Sequence, residues 1–322
     1  MMTPSEQGPS PQGRLGRVVF AAVAFALLAP IGLATLPLAA LALVSRPRTR
    51  GEVVAAGLTA GFSLWWLLQA GAIAEQTTRA AAVIATATFV LASRYTKASV
   101  THRTVLSAGT AALALAAMFV AGPWAWEDVR FWVARRTGFA VRMVLARFWL
   151  TISGDAAGGA AAADLEGWLD ASIRFLADHY AAVVALQLMA GLVLAWTVYH
   201  RVVKHPMAAP VGRFRDFRFT EHIGWLAVAA LTVVLVPRLA AAKLAAANLL
   251  IVTGALYALR GTAVAVFGLT AAGGAGAGTA VLAALAVVFI LPAVVAGAIV
   301  LGVVDAGLDL RRRWARNGPP AR

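Results

Sequence analysis

Apolar stretches recur along this chain, separated by short polar or basic segments. They cover residues 18–44, 53–74, 80–92, 104–125, 180–199, 223–236, 244–269 and 280–304. An α-helix rises ~1.5 Å per residue, so ~20 residues cross a ~30 Å hydrocarbon layer. Several stretches reach that length, and the pattern predicts about eight membrane spans. The run 80–92 is short; it has to extend through Gln76-Thr77-Thr78 or lie buried among its neighbours. Pro30 and Pro37 interrupt the first run and Pro292 stands within the last. Each predicts a kink, because proline lacks a backbone donor. The expected fold class is all-α: a polytopic membrane helix bundle of about eight spans with a helical extramembrane insert.

The polar segments divide the chain into a disordered tail (1–17), a front bundle (18–125), an insert (126–178), a back bundle (179–310) and a basic tail (311–322). The insert carries seven acidic and six basic residues, too many for a span. Its first half mixes Phe131, Trp132, Phe139, Phe148 and Trp149 with five arginines. That mixture suits a helix at the lipid headgroups or a soluble cap on the bundle. The stretch GDAAGGAAAA at 154–163 splits the insert into two helices. Asp164 and Glu166 give the second an acidic start that complements the helix dipole, and it runs on toward the fifth span.

Composition removes the soluble alternative. Hydrophobic residues make up 61% of the chain, against ~45–50% in an average soluble domain, and 75 positions are alanine. With only 13% charged residues, too few polar groups exist to cover that surface, so the excess faces lipid. The net charge of +14 comes from basic residues lodged between apolar runs, the pattern of membrane-flanking loops. No compact basic face with interleaved aromatics appears, so nucleic acid is not an expected partner. The tight basic clusters at 46–50 and 94–103 point to the cytoplasm and place the insert outside; the arginines at 311–313 argue the reverse.

Candidate chemistry is sparse. Zero cysteines exclude disulfides and thiolate metal sites, and none of His102, His179, His200, His205 and His222 forms a His-Glu-x-x-His pair. No metal or cofactor is expected. Neither a nucleophile elbow nor a phosphate-binding lysine loop is present, so the chain does not read as an enzyme. AAGGAGAGT at 271–279 reads as an interhelical loop. Small residues four apart, such as Ala22/Ala26 and Gly254/Ala258, give helix faces on which other membrane subunits could pack.

Polar groups inside apolar runs say more, because lipid offers them no partner. Gln69 and Gln187 stand in the second and fifth runs, and Asn248 opens the seventh. Thr253, Tyr257 and Arg260 follow it on one helical face. Arg260 either faces the bundle, pairing with a carboxylate, a helix C-terminus or an anionic solute, or snorkels to the interface. At the end of the last run Asp305 and Asp309 are i, i+4 neighbours, and Asp309 pairs by the same spacing with Arg313. That reads as a charge cluster fixing the depth of a helix end.

The back bundle resembles the YybS-like family, bacterial membrane proteins of unknown function. The likeness rests on NLLIVTGALYALRGTAVAVFGL at 248–269, LGVVDAGLDLRRR at 301–313 and the approach GRFRDFRFTEHIGW at 212–225. It covers roughly the last hundred residues. Arg260 departs from the pattern, which has an uncharged polar residue there. The family is remotely similar to the substrate-binding S components of energy-coupling vitamin transporters, a likeness of fold that does not fix function. The resemblance implies a multi-pass protein of the bacterial inner membrane. Two readings of function follow. One is a subunit that binds or transports a small solute at Gln69, Gln187, Asn248, Thr253, Tyr257 and Arg260; the other is a structural or regulatory scaffold.

Overall fold

A computed structural model describes residues 30–122, 125–152, 159–271 and 291–317. These residues are helical, with no strand among them: α1 (Gly32–Val44), α2 (Arg50–Leu68), α3 (Ile73–Tyr95), α4 (Val100–Ala121), α5 (Trp126–Ile152), α6 (Gly159–Asp178), α7 (Tyr180–Val202), α8 (His222–Leu235), α9 (Lys243–Ala271), α10 (Leu291–Leu308) and α11 (Leu310–Asn317). Short 3-10 turns stand at Phe214–Asp216 and Pro237–Ala242. By length and composition four segments among the described residues can cross a membrane: α2, α4, α7 and Pro237–Leu269. The fold is an all-α membrane helix bundle. The tail 1–17, the first part of the first run and the glycine-rich stretch at 271–279 lie almost wholly outside the described residues. So does the start of the last run, and Pro292 stands in the first turn of α10 as described.

The helices group into two units, Met1–Val211 and Gly212–Arg322. In the first, α1 packs on α2, α3 and α7. The core is built from Leu33, Leu41, Phe89, Leu192, Trp196 and Tyr199, with Ala81, Ala82 and Ala85 letting α3 approach closely. Of the two alternatives for the short run 80–92 both hold: α3 begins at Ile73, and Ala81, Ala82, Ala85 and Phe89 are buried among its neighbours. Thr77 and Thr78 are buried in it with their hydroxyls donating to Ala74 O at 3.0 and 2.7 Å, which supplies the partners that an apolar surrounding withholds.

The insert pairs α5 with α6 through Val129, Val133, Ile173 and Ala177. Charged residues flank the contact: Arg130 Nε donates to Asp178 at 2.7 Å and Arg142 Nη2 to Asp170 at 2.9 Å. The Asp178 bond raises the Arg130 guanidinium above its ordinary value. Helix α6 starts at Gly159, ahead of Asp164 and Glu166, so helix extends into the alanine run. It ends at Asp178, and α7 resumes after His179 alone, where φ −102° and ψ 19° break the ladder.

In the second unit α9 is the central element, packed against α8 and α10. Helix α10 runs parallel to α9, since Gly254 lies against Ile299 and Arg260, further along α9, reaches Asp305, further along α10.

Candidate site in the second unit

Residues Thr253, Tyr257 and Arg260 share one helical face by period, and all three are buried on α9. Local bonds satisfy the first: Thr253 Oγ1 donates to Leu249 O at 2.9 Å. One turn earlier Asn248 Nδ2 donates to Leu244 O at 2.9 Å. The Tyr257 ring meets the edge of Phe219, with centroids 5.1 Å apart.

Arg260 is buried, 5% exposed, which settles the alternatives against snorkelling. Its Nε donates to Asp305 Oδ2 at 2.8 Å and its Nη2 to the Asp305 backbone oxygen at 3.1 Å. The guanidinium carbon lies 5.4 Å from the centre of the Phe219 ring, a cation–π position. Glycines make this reach short. A Cβ on Gly261 would stand 1.8 Å from Ala298 O, and one on Gly302 would stand 2.1 Å from Tyr257 O. The backbones of α9 and α10 therefore touch next to Arg260 and one turn before Asp305, the close approach that small residues permit.

Asp305 is fully buried and takes a second cation through the same oxygen, Arg311 Nη2 at 2.8 Å. Arg311, 3% exposed, also donates from Nη1 to the carbonyls of Arg215 and Phe217 at 3.0 and 3.1 Å. Two buried guanidinium groups thus share one carboxylate oxygen, and the trio carries a net charge of about +1. Asp305 Oδ1 and Arg311 Nε are buried with no hydrogen-bond partner.

The helix end differs from its expected form. Asp309 has φ 46°, a left-handed conformation that stops α10 at Leu308 and starts α11 at Leu310. The i, i+4 backbone bonds persist on either side, Asp309 N to Asp305 O at 3.0 Å and Arg313 N to Asp309 O at 3.3 Å, while the side-chain directions change. Asp309 pairs with Arg218 at 3.0 Å and with Arg312 at 3.6 Å, so the pairing with Arg313 is corrected. The same break turns Arg311 inward. A run of three arginines gives no sign of which one is buried, so sequence reasoning missed it.

Gln69 and Gln187 belong to the first unit. Gln69 is exposed and ends α2, with its carbonyl accepting from Arg79 Nη1. Gln187 is half-buried on α7 and has a partner there. The six polar residues are therefore divided between units, and of them only Arg260 joins the charged cluster, with Asp305 and Arg311. Among the described residues no three of His, Asp and Glu converge as metal ligands would.

Compared with known protein families, residues 18–306 match one described as a predicted membrane protein, DUF2232, in agreement with a YybS-like membrane family of unknown function. No curated protein and no solved structure matches the chain.

Proposed function

We propose that this chain, which belongs to the DUF2232 family of predicted membrane proteins, is a membrane subunit that binds a small oxyanion at Arg260, Asp305 and Arg311. One observation carries the reading: a buried trio of net positive charge in which Arg311 Nε and Asp305 Oδ1 have no hydrogen-bond partner. An unpaired charge in a low-dielectric interior costs several kcal/mol, and a bound anion offsets that cost. The two unpartnered atoms narrow the class. An acceptor oxygen suits Arg311 Nε, and a hydroxyl or protonated oxygen suits Asp305 Oδ1. A hydroxy acid or a monoprotonated phosphate carries both. The cell envelope position that fits is the bacterial inner membrane, with the basic segments 46–50 and 94–103 facing the cytoplasm.

A scaffold reading has its own support. Asp305 already gives Arg260 an internal partner, and Asn248 and Thr253 bond to their own helix. The cluster would then lock α9 to α10. Thermal melting of the purified full chain against hydroxy acids, dicarboxylates and phosphate separates the two. Solute binding expects at least one anion to raise the melting point of the parent and not that of Arg311→Gln. No shift with any of them refutes binding and leaves the lock.

A further inference from the structure

The turns 45–49 and 96–99 and the segment after α7 meet at one end of the first unit. Lys204 N donates to Glu52 Oε1 at 3.0 Å, Ser45 Oγ bonds the Tyr199 hydroxyl, and Arg103 lies over the Trp196 ring at 5.4 Å. This end is rich in cations. Arg46, Arg48, Arg50, Arg94 and Lys97 are exposed there, and none forms an ion pair among the described residues. The acid beside them, Glu52, is already occupied: its carboxylate accepts from the backbone N–H groups of Arg48, Thr49 and Lys204 at 2.7, 3.1 and 3.0 Å.

Arg103 is different in kind from its exposed neighbours. It is 5% exposed, and its Nε and Nη1 are buried with no hydrogen-bond partner. Ser93, near the end of the facing helix α3, is 3% exposed and its Oγ is also buried without a partner. Neighbouring hydroxyls solve this locally. Thr96, Thr104 and Ser107 each donate to the carbonyl four residues back at 2.7–2.8 Å. Ser93 does not. A guanidinium carries donors on all three nitrogens that suit the several oxygens of a phosphate, and a hydroxyl adds a further donor.

We propose that this end of the first unit binds a phosphate group, with Arg103 as the buried anchor and Ser93 as a second donor. The exposed cations raise the local anion concentration, and the unsatisfied pair fixes the bound group. Basic pockets between membrane helices on the cytoplasmic side are a physical match for anionic lipid headgroups, and free phosphate offers the same chemistry. Because both arginine nitrogens lie below the surface, binding turns neighbouring side chains aside. Arg103 is long and flexible enough to follow.

The test uses the purified full chain in neutral detergent, read by melting temperature and by lipid adducts in native mass spectrometry. The probes are phosphatidylglycerol, phosphatidylcholine and inorganic phosphate. Phosphatidylglycerol should raise the melting point by about 5 °C near saturation, and phosphatidylcholine should not. An equal shift with inorganic phosphate assigns the site to the free ion; a shift confined to phosphatidylglycerol assigns it to the headgroup. Arg103→Gln should weaken binding more than about tenfold while Arg94→Gln, which removes the same charge from the surface, changes it little. Ser93→Ala should weaken binding severalfold with an unchanged melting point in the absence of ligand. It carries the test if Arg103→Gln does not fold. The site is refuted if no phosphate probe shifts the parent, if Arg103→Gln keeps the full shift, or if Arg94→Gln loses as much. Retention of full affinity by Ser93→Ala refutes its part as donor.

Discussion

Asp305→Asn isolates the charge of the buried cluster from its shape. Both arginines donate to Oδ2 at 2.8 Å, while Oδ1 has no partner. An asparagine can place its amide oxygen where Oδ2 stands and its amide nitrogen where Oδ1 stands, so neither hydrogen bond need be lost. Only the negative charge goes. Both donors stay ionised, so each bond keeps its charge-assisted class of ~1.5–3 kcal/mol and the two together lose at most about 1 kcal/mol. The two guanidinium groups are then left facing each other without a counter-charge, and breaking a buried pair costs ~3–5 kcal/mol. The expected loss is between those figures. Melting in detergent, followed by the fluorescence of the ten tryptophans, measures it. Asp309→Asn is the control: its pair with Arg218 is 46% and 34% exposed and should contribute under ~1 kcal/mol. If Asp305→Asn melts with the parent, or no lower than Asp309→Asn, the buried charge is not what holds α9 to α10.

Three further outcomes follow from the same geometry. Arg260→Leu should lower the melting point clearly, and Arg260→Lys should recover little of it, because a point charge cannot reproduce bonds from both Nε and Nη2; full rescue by lysine would contradict the bidentate arrangement. Gly261→Ala should abolish folded protein or shift α9 away from α10, whereas Gly297→Ala, whose Cβ would meet nothing within 4 Å, should behave as the parent in size-exclusion and melting measurements. For the insert, the absence of native cysteine makes single-cysteine labelling clean, and Ala140→Cys and Gly167→Cys should react with an impermeant maleimide from the same face of the membrane; reaction from opposite faces would mean that α5 or α6 crosses it.

Much of the fold is legible in hydropathy alone, because each span meets lipid on its own and its apolar length is a local property. The length of the run 80–92 called for extension into Gln76-Thr77-Thr78 or for burial, and α3 contains the first and shows the second. That Thr253, Tyr257 and Arg260 share one face followed from the helical period, and the structure buries that face. Burial of a charge within an apolar run also implied a partner, though not which one.

Tertiary structure alone decided the rest. Arg260 and Asp305 are 45 positions apart, one inside an apolar run and the other among several charges near a helix end. Their pairing depends on a backbone contact at Gly261 and Gly302 that spacing along either helix cannot reveal. The sign of φ at Asp309 decided which arginine of three turns inward, because a left-handed residue resets the helical phase for everything after it. Gln69 and Gln187 looked equivalent to Asn248 as polar groups in apolar runs, yet they fold into the other unit. Periodicity reports which side of a helix is buried; which helix it meets depends on how closely two backbones can approach, and that is set by residues distant in sequence.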